Sequence, residues 1–155
     1  KQLALYVVLM SPMQMAADLI ENYEGNPAFE FIEQVPCTWD ETRVLDAVIG
    51  DFVTVARRSG DDWFLGSITD EEGRTVEVAL DFLEPGRRYA ARIFRDAADT
   101  HWETNPTPIE IDDAGRSSAT ARSSDDIGIS SIFATSAASR RRARSAVPNS
   151  SARSS

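Results

Sequence analysis

The sequence predicts a mainly β protein in which a small antiparallel β-sandwich follows a short α-β-α segment and precedes a disordered C-terminal tail. Three observations predict this class. Hydrophobic spacing is helical before Asp40 and alternates after it. Short apolar runs then recur at regular spacing, most of them ended by Gly, Pro or Asp, which is typical of sandwiches. From residue 115 the composition changes to Ser and Arg, so the predicted domains are 1–35, 36–114 and 115–155.

The first domain has the order helix, strand, loop, helix. Residues 1–10 are apolar almost throughout and stop before Pro12, which predicts a buried helix. Residues 13–17 are interpreted as a short buried strand, residues 21–27 as a loop and residues 28–35 as a second helix. The apolar face of that helix is predicted to hold Phe29, Ile32 and Val35. Such a piece of an α/β unit cannot close a parallel sheet alone.

The second domain alternates apolar and polar residues. Strands are predicted over residues 43–49, 52–58, 63–68, 75–82, 89–94 and 109–111. The run 75–82 alternates most regularly and places Val76, Val78, Leu80 and Phe82 on one face. Pro85 followed by Gly86 predicts a type II turn before the fifth strand.

The predicted tail differs from the rest in composition. Residues 116–155 hold 13 Ser and 7 Arg, and they cannot bury enough apolar surface to offset the entropy of the chain. After Gly115 the alternation of apolar residues stops and Arg, Ser and Ala replace them, as a frameshift in GC-rich coding sequence would produce. On that hypothesis the last strands of the sandwich are missing, and the sheet has an unpaired edge.

Charge and hydrophobicity exclude two classes of partner. Residues 1–115 carry a net charge of −14, which would repel the phosphates of a nucleic acid. The sequence has no apolar run of the length that a membrane helix needs, so no membrane association is expected.

Asp18 is the one carboxylate with a positional argument, because it follows the predicted strand. In a (β/α)8 barrel the active site is built at the carboxyl ends of the strands. Asp18 is therefore predicted to border a substrate pocket together with Tyr23 and Glu24; the alternative is a cap or loop carboxylate. No paired catalytic carboxylates and no metal-binding spacing are recognisable, so no catalytic residue and no metal ligand are predicted in this chain. Three tryptophans are interpreted either as core residues or as a sugar-stacking platform: Trp39, Trp63 and Trp102.

Five segments resemble the C-terminal part of glycoside hydrolase family 97. They are QLALYVVLMSPMQMAAD (2–18), ENY (21–23), VPCTWDETRVLD (35–46), ARRSGDDWFLGSITD (56–70) and DFLEPGRRYAARIFRDAAD (81–99). The resemblance implies an enzyme with an N-terminal β-sandwich, a catalytic (β/α)8 barrel and a C-terminal β-sandwich. Members of this family are exo-acting α-glucosidases or α-galactosidases that use calcium.

The resemblance implies that residues 1–35 are the last α-β-α piece of the barrel and that residues 36–114 are the sandwich, which supports the barrel and assembly. It places the catalytic residues and the calcium ligands outside this chain, so the fragment is expected to be inactive alone and to bind no calcium. The implied partners are the upstream catalytic domain, its oligosaccharide substrate and further copies in a homo-oligomer. The alternative is a free-standing carbohydrate-binding or protein-interaction module.

Overall fold

The computed structural model describes residues 2–72, 74, 76–101, 103–115, 121–122 and 131–136. Within them the helices are α1 (Gln2–Val8), α2 (Ile20–Tyr23) and α3 (Phe29–Gln34). The strands are β1 (Glu41–Val48), β2 (Phe52–Ser59), β3 (Asp62–Thr69), β4 (Glu77–Val78), β5 (Tyr89–Asp96), β6 (Ile109–Gly115), β7 (Ala121–Arg122) and β8 (Ser131–Ser136). The described chain is therefore mainly β, as the change of period near Asp40 predicts.

Two antiparallel sheets share a core, which confirms the predicted class. In the described part, six strands form one sheet in the order β1-β2-β3-β8-β5-β6, and β4 pairs with β7 in a second sheet. Strands β1 to β3 form a meander because tight turns join them. Gly60, between β2 and β3, has a φ of 59°, a conformation that glycine adopts without steric cost. Strands β1 and β6 are the two edges of the larger sheet.

The helices cover one face of the larger sheet. Buried side chains from helix and strand form a core there: Val7, Phe31, Val35, Phe64 and Phe94. Phe31 of α3 stands edge-on to Phe94 of β5, with ring centroids 5.3 Å apart. Helix α1 lies directly on β3 because Gly66 has no side chain. A Cβ at that position would lie 2.8 Å from the Cβ of Val7, which is closer than carbon atoms pack.

A buried arginine joins the end of α1 to β2. Arg57 is only 6% exposed. Its Nε donates to the carbonyl oxygen of Val7 at 2.6 Å, and its Nη2 donates to that of Val8 at 3.2 Å. Its Nη1 donates to Oγ1 of Thr42 at 3.0 Å. The last carbonyls of a helix have no partner within the helix and carry partial negative charge. Arg57 therefore supplies both the donors and the charge that this helix end needs.

The opposite face is covered by chain that comes from the sheet region itself. Its core consists of Ala56, Trp63, Leu65, Val78 and Phe82. The rings of Trp63 and Phe82 are 4.8 Å apart. The backbone N–H of Arg87 donates to the carbonyl of Glu84, and Gly86 has a φ of 79°, so the turn predicted at Pro85-Gly86 is present.

The strand predicted over residues 75–82 is mostly wrong. Only Glu77–Val78 is a strand, and it pairs with Ala121–Arg122. The predicted apolar face is nevertheless turned inwards, because Val78 and Phe82 are buried. Alternating apolar and polar residues show which side chains face the core. An extended segment that covers the core has this alternation even when its backbone is not paired in a sheet.

The strand predicted over residues 13–17 is also wrong, since no strand is formed there. Met13 and Met15 are 72% and 75% exposed. Met and Ala are poor strand formers, and within the described residues no neighbouring strand is placed to pair with them. The loop predicted over residues 21–27 begins with the last residues of α2. The buried residue of α3 is Phe31. Of the predicted face, Val35, which follows the helix, is buried, whereas Phe29 and Ile32 are half-buried.

The predicted tail over residues 115–155 lies mostly outside the described residues. Two segments of it are described, and both are strands. Strand β8 lies between β3 and β5 and pairs with both of them. The hypothesis that terminal strands are missing stays a prediction. Ser131–Ser136 combines Ile, Phe and Thr, residue types that favour strands locally even where the wider composition is polar.

Candidate functional site

The N-terminal segment forms a concavity of about 530 Å³ that brings the predicted site residues together. Asp18, Tyr23 and Glu24 all line it. The predicted strand is absent, so a different element positions them: Asp18 precedes helix α2, Tyr23 ends that helix, and Glu24 follows it. Their proximity was predicted from a barrel strand, whereas the structure achieves it with a short helix and a turn. Their role as a pocket border stays a prediction.

Local hydrogen bonds hold the Asp18 carboxylate in its ionised form. Its Oδ1 accepts from Nδ2 of Asn22 and from the backbone N–H of Leu19, each at 2.7 Å. These two bonds lower the pKa of Asp18 below its ordinary value, and the bond from Asn22 has the larger effect. Asp18 therefore lies just before α2, whose N-cap is Leu19, and presents a negative charge to the concavity.

Aromatic packing fixes the wall of the concavity. The rings of Tyr23 and Phe29 lie 5.3 Å apart. Oδ1 of Asn26 accepts from the backbone N–H of Ala28 at 2.9 Å and orders the turn that leads into α3. The concavity therefore has a rigid wall on the side of α3.

Two carboxylates that sequence reasoning did not single out also line this concavity: Glu30 and Glu33. Glu30 is ion-paired with Arg92 of β5, which also lies 3.3 Å from Oδ1 of Asp113. The available signal was that Glu30 and Glu33 are three residues apart and therefore share one face of α3. Because Arg92 neutralises Glu30, the charge that the concavity presents comes from the other carboxylates.

A second, wider concavity of about 650 Å³ adjoins the first and shares Asp18 and Tyr23 with it. It runs between α1 and the connection from β5 to β6. The Tyr6 hydroxyl lies on this side and donates to the carbonyl of Met15 at 3.2 Å. Burial raises the pKa of Tyr6, so this phenol stays protonated and remains a donor. Together the two concavities offer carboxylate acceptors beside apolar walls, a surface suited to binding polar ligands.

The described residues do not supply a metal centre. No group of three or more His, Cys, Asp or Glu side chains among them is arranged around a common point. No described helix has the length and apolar character needed to span a bilayer.

The two described tryptophans, Trp39 and Trp63, do not share a sugar-stacking platform. Trp63 is 3% exposed within the core of the second face. Trp39 packs edge-on against Phe64 at 5.3 Å, on the opposite face of the sheet. Trp102 lies outside the described residues.

The fold and the site together define an antiparallel β domain that carries a helical segment with a carboxylate-lined concavity. The particular family follows from comparison with known proteins. Residues 38–127 match the family described as "Glycosyl-hydrolase 97 C-terminal, oligomerisation". This match covers more than half of the chain, so the chain belongs to that family.

Relatives of known structure or curated function agree with this assignment. A retaining alpha-galactosidase of Bacteroides thetaiotaomicron is 43% identical over 102 residues, which are 65% of this chain and 15% of that protein. A glycoside hydrolase family 97 enzyme variant from Pseudoalteromonas sp. strain K8 superposes with a TM-score of 0.78 at 41% identity, covering 88% of this chain and 22% of that one. The same enzyme in complex with panose gives 0.78 at 40% identity, covering 87% and 22%. The chain thus corresponds to a small C-terminal part of much longer glycosidases.

Proposed function

We propose that this chain is the C-terminal part of a glycosidase that hydrolyses terminal α-linked galactose or glucose, and that it has no activity alone. The observation that carries the proposal is a run of exposed apolar side chains between residues 9 and 20, here called the N-terminal apolar segment. Its large apolar residues are each between 57% and 78% exposed: Leu9, Met10, Met13, Met15, Leu19 and Ile20. Contiguous exposed apolar surface of this kind marks an interaction site.

The position of the segment indicates what covers it. It precedes the residues that match the family, and it borders both concavities. In the proposal the catalytic domain of the whole enzyme packs on this segment, and residues 1–35 complete the (β/α)8 barrel of that domain. Residues 36–114 support the barrel and assembly. Calcium is bound by other parts of the enzyme and not by this chain.

The concavity has the polar groups that a sugar requires. The carboxyl groups of Asp18 and Glu24 can accept hydrogen bonds from sugar hydroxyls, and the Tyr23 hydroxyl can both donate and accept. In the proposal these three residues border the substrate pocket at its edge, and they do not act on the glycosidic bond. Galactose is the favoured sugar, because the curated relatives are named as retaining or probable retaining alpha-galactosidases.

A chimera tests this proposal. Residues 1–155 replace the corresponding C-terminal part of the Bacteroides thetaiotaomicron enzyme, and hydrolysis of nitrophenyl α-galactoside and α-glucoside is measured with and without a calcium chelator. We expect a folded, chelator-sensitive chimera, whereas the chain alone hydrolyses neither compound. Hydrolysis by the chain alone, or a chimera that folds and is inactive, would contradict the proposal. Binding of galactose or maltose to the chain alone in calorimetry would favour the free-standing module.

The role of Asp18 is tested in the same chimera. Asp18→Asn removes the charge but keeps a side chain that can accept from Asn22, so we expect KM to rise about tenfold while kcat changes little. Glu77→Gln, an exposed carboxylate on β4, is the matched control and should leave KM unchanged. An unchanged KM in Asp18→Asn would restrict Asp18 to its local hydrogen bonds with Leu19 and Asn22.

A further inference from the structure

A second group of exposed apolar residues lies on the first strand of the larger sheet. Val44 and Val48 are 65% and 47% exposed, and Ile49, which follows β1, is fully exposed. These residues are distant in sequence from the N-terminal apolar segment and lie within the range that matches the family. Strand β1 is also an edge of the sheet, so one side of its backbone has no strand beside it in the described part. An edge with exposed apolar side chains is a template for strand pairing.

The exposed residues lie on both faces of β1. Val44 is opposite Val55 and Val48 is opposite Phe52; since these partners are three residues apart in β2, they point to opposite faces. A face-to-face contact would bury only one of the two valines. An added strand alongside β1 would bury both.

The pattern of charge on β1 suits pairing with a second copy of itself. Consider two β1 strands that run antiparallel around a two-fold axis between Val44 and Leu45. Arg43, which also pairs with Glu41 of its own strand at 2.6 Å, then faces Asp46 of the other copy, and this pair occurs twice by symmetry. Opposite charges directly across a strand pair stabilise it. Glu41 then faces Val48, so no like charges are opposed.

The irregularity in β1 makes this match selective. The register with β2 shifts between Val44 and Asp46, so Leu45 forms a β-bulge and packs against the core of the second face. A bulge bends and twists a strand, which disfavours pairing with an ordinary strand. In the two-fold arrangement the bulges of both copies meet at the axis, so the same distortion is present on both sides.

The other edge of the sheet lacks this complementarity. Strand β6 carries Glu110, Asp112 and Asp113. A two-fold axis at Ile111 would place Glu110 opposite Asp112 of the second copy, which is repulsive. Glu110 and Asp112 both pair with Arg95 of the neighbouring strand instead.

We propose that β1 is the surface through which two copies of this chain associate, as an antiparallel strand pair centred between Val44 and Leu45. This inference rests on the assembly role in the proposed function and specifies the surface involved. It does not depend on glycosidase activity, because it concerns association of the isolated chain.

Sedimentation velocity of the 155-residue chain tests the inference. We expect the unaltered chain to form a dimer. Arg43→Asp opposes two acidic side chains at each of the two symmetric contacts, and Asp46→Arg opposes two arginines, so each variant should raise the dimer Kd at least about tenfold. A mixture of the two variants should form a heterodimer, because each contact then regains opposite charges. Glu110→Arg on β6 is the matched control and should leave the Kd unchanged.

The mixture separates an interface from a general loss of folding, since a misfolded variant would not regain association. A monomeric unaltered chain at about 100 μM, where even weak protein pairs associate, would overturn the inference. A dimer that neither charge reversal weakens would also overturn it, because association would then use another surface such as the N-terminal apolar segment. An inactive chimera with a dimeric chain would reject the proposed function and leave this inference intact.

Discussion

The two faces of the larger sheet are covered in different ways. On one face, helices from the beginning of the chain supply Val7, Phe31 and Val35 to the core. On the other face, the covering residues Val78 and Phe82 come from chain that directly follows β3. The first face is therefore closed by a long-range contact and the second by a local one. This difference shows that the helical segment packs on the β domain through a long-range contact, although the change of sequence period near Asp40 and the start of the family match at residue 38 separate the two in sequence.

Truncation of one core residue on each face should give the largest effects. Phe31 is 1% exposed and Phe82 is 6% exposed, and Phe→Ala in a core costs about 3–5 kcal/mol. We expect both Phe31→Ala and Phe82→Ala to lower the free energy of unfolding by this amount in urea denaturation. Limited proteolysis should distinguish them, because only Phe31→Ala loosens α1 and α3 from the sheet. Equal cleavage within residues 9–35 in both variants would show that the faces do not open independently.

Two neighbouring arginines of β2 should differ in their importance for stability. Arg57→Met leaves the last carbonyls of α1 without buried donors, so we expect a loss of about 1.5–3 kcal/mol in unfolding free energy. Arg58→Met is the matched control in the same strand. Arg58 lies 3.6 Å from Asp40 and 3.3 Å from Glu41 in partly exposed ion pairs, which typically contribute about 1 kcal/mol or less. If Arg58→Met lowered the unfolding free energy as much as Arg57→Met, the greater importance of the buried arginine would be contradicted.

The smallest expected effect concerns the partly exposed ion pair between Arg74 and Asp70, in the chain that leads from β3 to the second covering. Arg74 donates to Asp70 through two nitrogens, at 2.7 and 3.2 Å, and these bonds lower the pKa of Asp70. A carboxyl whose pKa is lowered by folding stabilises the fold above its unfolded pKa of about 3.9, and this contribution is lost as the pH falls through the folded value. We expect the melting temperature of Asp70→Asn to depend less on pH between 5 and 2 than that of the unaltered chain. High salt should reduce the difference.

Much of the sheet could be predicted because its pattern is local. Strands β1, β2, β3 and β5 lie within two residues of their predicted bounds, since alternation and turn residues such as Gly60 define them. The strand prediction over residues 75–82 was wrong because alternating apolar residues indicate which side chains are buried and do not indicate whether the backbone pairs with another strand. Strand β8 was missed because the Ser- and Arg-rich composition around it outweighed its strand-favouring residues, Ile, Phe and Thr. Its pairing with β3 and β5, which are distant in sequence, leaves no local signal.

The three residues of the candidate site lie together for a reason other than the one that predicted them. Asp18, Tyr23 and Glu24 line one concavity, although the strand that motivated the prediction is absent. These three residues lie close together because they are close in sequence, and any compact local structure would keep them near one another. The contribution of Arg92, which neutralises Glu30 across 62 residues of chain, depends on tertiary packing and could not be inferred.

The contact of α1 with Gly66 also constrains how the protein is made. Arg57, the partner of Val7, lies 50 residues further along the chain, and Gly66 comes later still. At roughly 5–20 residues per second on a ribosome, about 3–10 s pass between synthesis of the helix and synthesis of the strands that cover it. During that interval Val7 has no sheet to pack on. The helix therefore depends on whatever part of the nascent chain or cell can shield it until β3 emerges.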